Sequence, residues 1–177
     1  MEKVLNELDV NLVYSRSKVL CELERFEEAI DGFNSILVIK PDHVGALWMY
    51  GNTLMRVEEY EKAIDSFDRS LRIEPEDFHA YLMRGLAFYQ LDRYKDALDS
   101  FDFALKIEPC SPQCWYLHGD MLCNLEKYEE AINSFDHVIE LDSNYPDVWK
   151  VRGDALYELG RYEEALDSFD RTTHYRI

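Results

Sequence analysis

The chain has 177 residues, of which 47% are hydrophobic and 14% aromatic, ample for a packed core and unlike the composition of a disordered segment. Its 36 acidic residues against 19 lysines and arginines give a formal charge of −17. A field of that sign repels phosphate backbones and anionic lipid surfaces, so neither nucleic acid nor a membrane is expected as a partner, and a solvated acidic face keeps the chain soluble.

The opening MEKVLNELDV sets Glu2, Lys3, Glu7 and Asp9 among its apolar residues and leaves no room for a signal-peptide core. Leu5 and Leu8 are in helical phase with Leu12, so residues 1–9 read as an N-terminal extension of the first helix. Beyond them the chain repeats itself. Ala29, Ala63, Ala97, Ala131 and Ala165 stand 34 apart, as do Phe33, Phe67, Phe101, Phe135 and Phe169. Gly51, Gly85, Gly119 and Gly153 keep the same spacing, with Ser17 at the equivalent first place. Taking Pro41, Pro75 and Pro109 as position 32, five repeats run over 10–43, 44–77, 78–111, 112–145 and 146–177, the last two residues short.

Each repeat carries two helical stripes. In repeat two, Leu47, Tyr50, Gly51 and Leu54 mark a first helix and Tyr60, Ala63, Ile64, Phe67 and Leu71 a second. Val57-Glu58-Glu59 fits neither stripe and is the turn, and in repeat five Gly160 supplies a helix-ending glycine there. Pro75 disfavours helix in Glu74, so the second helix stops near Ile73. Ser111-Pro112 reads as an N-cap followed by proline in the first turn. Glycine inside a helix costs about 1 kcal/mol relative to alanine. Its recurrence therefore predicts close approach of the two helices, Gly85 facing Ala97 with Phe101 beside them. Each pair keeps an apolar face that only the next pair covers, so the fold expected is an all-α solenoid of antiparallel helix pairs. The run His43–Met55 is too short and too polar to span a bilayer, and four cysteines in so long a chain suit reduced thiols in the cytoplasm.

The pattern resembles the tetratricopeptide repeat, W-x2-L-G-x2-Y…A-x3-F…P. Repeat four matches with Trp115-x2-His118-Gly119-x2-Leu122 and Ala131-x3-Phe135, and repeat five with Trp149-x2-Arg152-Gly153-x2-Leu156 and Ala165-x3-Phe169. The resemblance covers residues 10–177 and implies a right-handed superhelix. Repeat four departs from it, with Ser143 in place of the proline and Pro146 three residues later. Where the family favours leucine, this chain has Arg16, Tyr50, Arg84, His118 and Arg152. A guanidinium on a packed stripe needs a partner. Asp68, Asp102, Asp136 and Asp170 beside the phenylalanines supply candidates, so Arg84 and Arg152 are expected to bond to these aspartates and fix how repeats stack.

Catalysis finds no support. The sequence contains no HExxH, GxSxG, phosphate-binding lysine loop or dinucleotide glycine pattern, and no enzymatic activity or cofactor is expected. The acid pairs Glu58-Glu59, Glu129-Glu130 and Glu163-Glu164 suit helix N-termini facing water. Cys110, Cys114, His118 and Cys123 could be drawn as a zinc site, but their spacing is not a recurrent zinc signature and cysteine as a small buried hydrophobe is the simpler reading.

The resemblance implies a concave groove lined by first helices, with ligand contacts from positions 2, 5, 9, 12 and 13. These are Tyr14 and Lys18 in repeat one and Trp48, Asn52, Met55 and Arg56 in repeat two. Repeat three supplies His79, Leu82, Leu86, Tyr89 and Gln90; repeat four Tyr116, Asp120, Cys123 and Asn124; repeat five Lys150, Asp154 and Tyr157. Trp48, Met55, Leu82 and Leu86 depart from residues common in the family and make the middle of the groove apolar, while Lys18, Arg56 and Lys150 would orient acidic groups. The Lys-Asn-Asn-Lys-Arg clamp of co-chaperones that grip a C-terminal carboxylate is missing, Tyr14 and Lys18 standing at its leading places. The function expected is a protein-interaction scaffold that binds a peptide or partner helix in the groove. The alternatives are a self-associating module, dimerising through an uncapped last repeat where Leu156, Leu166 and Phe169 would lack cover, or the adaptor fragment of a larger protein.

Overall fold

The structure, a computed structural model, describes the backbone of residues 7–174 and the side chains of residues 9–172. It holds ten helices: α1 (Glu7–Glu22), α2 (Phe26–Ile39), α3 (Val44–Arg56), α4 (Tyr60–Ile73), α5 (Phe78–Gln90), α6 (Tyr94–Ile107), α7 (Pro112–Asn124), α8 (Tyr128–Leu141), α9 (Val148–Glu158) and α10 (Tyr162–His174). Among the described residues there is no strand, and no helix is long and apolar enough to cross a membrane. The Leu5 and Leu8 side chains, expected to lengthen the first helix, lie outside the described residues, as does 175–177.

The helix ends follow the local chemistry. Asp77 Oδ1 accepts from the Ala80 N–H at 3.1 Å and Ser111 Oγ from the Cys114 N–H at 3.3 Å, each satisfying a donor of a first turn. At the turn inside each pair, the Glu59, Lys127 and Arg161 N–H groups reach back to the Leu54, Leu122 and Leu156 carbonyls, closing α3, α7 and α9 in the same way. That closure needs a left-handed residue. Gly160 supplies it in repeat five, at φ +74°, as its sequence suggests. In the other four repeats an acidic residue takes the position: Glu24, Glu58, Asp92 and Glu126, at φ 55–62°. After α8 the missing proline has a local consequence, since Asp147 adopts φ +57° and α9 has 11 residues where α3, α5 and α7 have 13.

The chain divides into two compact units, residues 1–91 and 92–177, the division falling in the turn between α5 and α6. In the first, α1 packs on α2 and α3 on α4, α2 and α4 each pack on the helix that follows, and the first helices α1, α3 and α5 touch in succession. Its core joins Ala29, Phe33, Ile36 and Leu37 of the first pair to Ala46 and Leu47 of the next. In the second unit, α7–α8 and α9–α10 pair, α6 and α8 pack on their successors, and α7 touches α9. There Leu122, Ala131, Ile132, Phe135 and Val138 join Val148, Ala155, Leu156 and Ala165 in one cluster. Each pair thus buries its leftover face on its neighbour, each fully buried phenylalanine contributing about 2–3 kcal/mol of apolar burial.

Two expectations are corrected by packing. The glycines do not chiefly serve to bring alanine close. A Cβ added at Gly51, Gly119 or Gly153 would stand 2.8, 2.6 or 2.5 Å from Cε1 of Phe67, Phe135 or Phe169, so each glycine makes room for the ring of its own pair. Repeat one inverts the arrangement, with Ser17 on the first helix and Gly32 on the second; a Cβ at Gly32 would lie 2.0 Å from Ser17 Oγ. Leu156, expected uncovered, is fully buried, because the α8 face closes over it; Phe169 is half-buried and only Leu166, at 61% exposure, stands out.

Candidate peptide-binding faces

The side chain at position 7 of a repeat sits between helices; Arg152, Arg84 and His118 each reach the aspartate of the preceding repeat, and Arg152 and His118 also reach the serine of their own second helix. Arg152 Nε donates to Asp136 Oδ1 of the preceding repeat at 2.6 Å, while its Nη1 donates to Ser168 Oγ of its own second helix at 2.8 Å. Arg84 Nε lies 2.8 Å from Asp68 Oδ1 in an ion pair, although its N–H finds no hydrogen-bond acceptor among the described residues. His118, which the sequence reading leaves on the apolar stripe, is the third bridge: Nε2 is 3.1 Å from Asp102 Oδ1 and Nδ1 2.9 Å from Ser134 Oγ. Burial holds its pKa below the ordinary imidazole value, outweighing the opposing pull of the Asp102 carboxylate. These polar bridges face the neighbouring pair and fix stacking, so they are not free for a ligand.

The candidate groove residues separate by surroundings. On the first unit, Tyr14 is half-buried, edge-on to Phe33 with centroids 5.9 Å apart and stacked on His43 at 5.4 Å; Lys18 is exposed above its ring. Trp48 is half-buried against the Leu54–Ala63–Phe67 cluster. Leu82, expected to meet a ligand, is 7% exposed and belongs to the core. Leu86 and Tyr89 are half-buried, while His79 and Gln90 are exposed. Asn52, Met55 and Arg56 come together on the wall of a cleft of about 300 Å³ shared with Met49 and Met83. Asn52 Nδ2 is buried there and donates to nothing among the described residues. Arg56 meets no carboxylate among the described residues; its guanidinium lies 5.0 Å from the Phe26 ring centre.

On the second unit, Tyr116 packs between Phe135 and Tyr145, at 6.0 and 5.3 Å. Asp120, at the same position of its repeat as Asn52, is half-buried, and its carboxylate has no ion pair or hydrogen bond among the described residues; burial raises its pKa. Asn124 donates to the Asp120 backbone carbonyl at 2.9 Å, so its amide is used within its own helix. Lys150 is held by Asp154 at 2.8 Å and is not the free orienting cation expected. Tyr157 is 58% exposed and lies against Tyr162.

The cysteines do not assemble a centre. Cys110 is exposed, whereas Cys114 is buried with its thiol 3.8 Å from the Phe101 carbonyl. Among the described residues no three His, Cys, Asp or Glu side chains are placed to hold a metal ion. Burial first, then Asp102 and Glu108, pushes the Cys114 thiol to about 12. Burial first, then Asp120 and Asp154, does the same to Cys123. Both therefore stay protonated and weakly nucleophilic at neutral pH. The sequence offers no signal for the unsatisfied Asn52 donor, which depends on which neighbours desolvate it; the signal for the His118 bridge is its register, 16 residues from Asp102 as Arg84 is from Asp68 and Arg152 from Asp136.

Comparison with known proteins agrees with this architecture. One tetratricopeptide-repeat profile matches residues 14–77 and 116–174, and a second matches 50–117. No curated protein sequence matches the chain. Among solved structures, the MamA protein superposes with a TM-score of 0.90 at 19% identity, covering 93% of this chain and 90% of that one. MamA from Desulfovibrio magneticus RS-1, residue 41 to its end, gives 0.88 at 19% identity over 96% of both chains. YrrB, described as a TPR protein with an unusual peptide-binding site, gives 0.84 at 22% identity, covering 93% and 84%. At these identities the likeness is one of fold.

Proposed function

From the premise that the chain belongs to the tetratricopeptide-repeat family, we propose that it is a non-catalytic protein-interaction scaffold that binds a peptide or partner helix on the face of its first helices, where the family's concave groove lies. The carrying observation is made on each unit by itself, at Asn52 in the first and at Asp120 in the second. They occupy the same position in two repeats, and each leaves a polar group partly desolvated without a partner, a buried amide donor in one and a half-buried carboxylate in the other. Buried polar groups are ordinarily satisfied, and a bound main chain supplies both acceptors and donors. The peptide-binding site named for YrrB is in keeping with the reading. The test is partner capture from lysate by the parent chain and by Asn52→Ala/Asp120→Ala. Neither side chain holds the fold, so capture should fall sharply; undiminished capture refutes the reading. Self-association is the second reading, favoured by Leu166 and Tyr162 standing about 60% exposed on α10. Light scattering across a hundredfold concentration range separates the two.

A further inference from the structure

The first unit carries a cleft whose chemistry is narrower than a general binding face. Three thioethers, Met49, Met55 and Met83, line it together with the Phe26 ring, the Asn52 amide and the Arg56 guanidinium. Thioether side chains are unbranched and polarisable, and so accommodate large apolar groups of varied shape. Of the other polar groups of the wall, Thr53 is engaged, its Oγ1 donating to the Met49 carbonyl at 2.7 Å and lying 3.2 Å from Cys21 Sγ, while Glu22 is exposed. Two donors remain. Among the described residues, Asn52 Nδ2 is buried without an acceptor and Arg56 is exposed without a carboxylate.

The lack of a carboxylate at Arg56 is informative because of how the other first-helix cations are treated. Arg16 meets Glu28 at 3.7 Å, Arg84 meets Asp68 at 2.8 Å, Lys150 meets Asp154 at 2.8 Å and Arg152 meets Asp136 at 2.6 Å. Only Lys18 and Arg56, among the described first-helix lysines and arginines, lie over aromatic rings instead, in a chain with nearly two acids for every base. Glu22, exposed on the α1 side of the cleft, repels a carboxylate there and so directs one toward Arg56.

We propose that this cleft seats an acidic–apolar peptide segment: a large apolar side chain enters among the methionines, a carboxylate within about three residues of it pairs with Arg56, and a main-chain carbonyl accepts from Asn52 Nδ2. The inference rests on the reading of the first-helix face as a protein-binding surface and adds the class of peptide. Loss of the Arg56 contact should weaken binding about tenfold, equivalent to about 1.4 kcal/mol.

The experiment is selection of a random dodecapeptide library displayed on phage against the intact protein, followed by anisotropy titration of the recovered peptides on variants. Supporting results are enrichment of an aromatic or long aliphatic residue followed by Asp or Glu, with binding weakened tenfold or more by both Arg56→Gln and Asn52→Ala, and no change in the melting curve of either variant. Salt should weaken binding to the parent chain and have little effect on Arg56→Gln. Peptides that bind but lack the acid, or that bind Arg56→Gln as tightly as the parent, overturn this inference and leave the general reading standing. Enrichment of basic peptides overturns it in the same way and points to Asp120. Recovery of no binding peptide overturns both.

Discussion

Gly119 leaves no room for a Cβ beside the Phe135 ring, and Gly119→Ala tests what the recurring glycine does. Two effects of opposite sign compete. Alanine in a helix interior is favoured over glycine by about 1 kcal/mol, so the substitution stabilises wherever its methyl has room. Here the new Cβ would lie 2.6 Å from Phe135 Cε1, 2.9 Å from Cδ1 and 3.0 Å from Cζ. The ring is fully buried in the Leu122–Leu156 cluster and has no solvent side to move toward. Overpacking of a filled core costs about 1–3 kcal/mol, which meets or exceeds the propensity gain. The expected net effect is a destabilisation of about 1 kcal/mol, read as a fall of about 2–4 °C in the midpoint of thermal unfolding followed by circular dichroism. The double variant Gly119→Ala/Phe135→Leu supplies the internal check, because removing the ring edge releases the clash. It should be more stable than Phe135→Leu alone, by up to the propensity gain. A Gly119→Ala protein that melts at or above the parent temperature would refute the reasoning.

Three further outcomes follow from the same packing. Arg152→Met and Asp136→Asn should couple by about 1 kcal/mol in a double-mutant cycle of unfolding free energies, reduced from the fully buried case because Asp136 is 44% exposed; additivity within about 0.3 kcal/mol would show that the bridge does not hold the stack. His118 has a folded pKa below its unfolded one, so the unfolded chain binds the extra proton and its contribution to stability is lost as pH falls from near the ordinary imidazole value through the lower folded value. The parent should therefore lose more stability than His118→Gln between about pH 7 and pH 5, and parallel pH profiles would contradict the assignment. Glu126→Gly at the left-handed turn should raise stability by up to about 1 kcal/mol, since glycine relieves the steric cost of φ +59° that outweighs its added freedom in the unfolded chain. Lys18→Gly, at an exposed position inside α1, should instead lower stability by a similar amount.

The two kinds of information in the chain divide by range. The sequence alone determined the number of repeats, the paired helices, the breaks at Glu58 and Glu74, the Ser111 cap and the recurring Ala–Phe frame. Each of these is written in hydrogen bonds and apolar spacing within about four residues, or in plain repetition at 34. It also anticipated that Arg84 and Arg152 seek aspartates, because a guanidinium on an apolar stripe has few alternatives. Tertiary structure decided the rest. His118 joined those bridges only because Asp102 and Ser134, each 16 residues away, converge on its two nitrogens. Leu82 entered the core, Lys150 was neutralised by Asp154, and Asn52 was left with a buried donor beside an arginine without a carboxylate. Those outcomes depend on desolvation and partner geometry between helices, which vary from repeat to repeat while the frame that positions them stays the same.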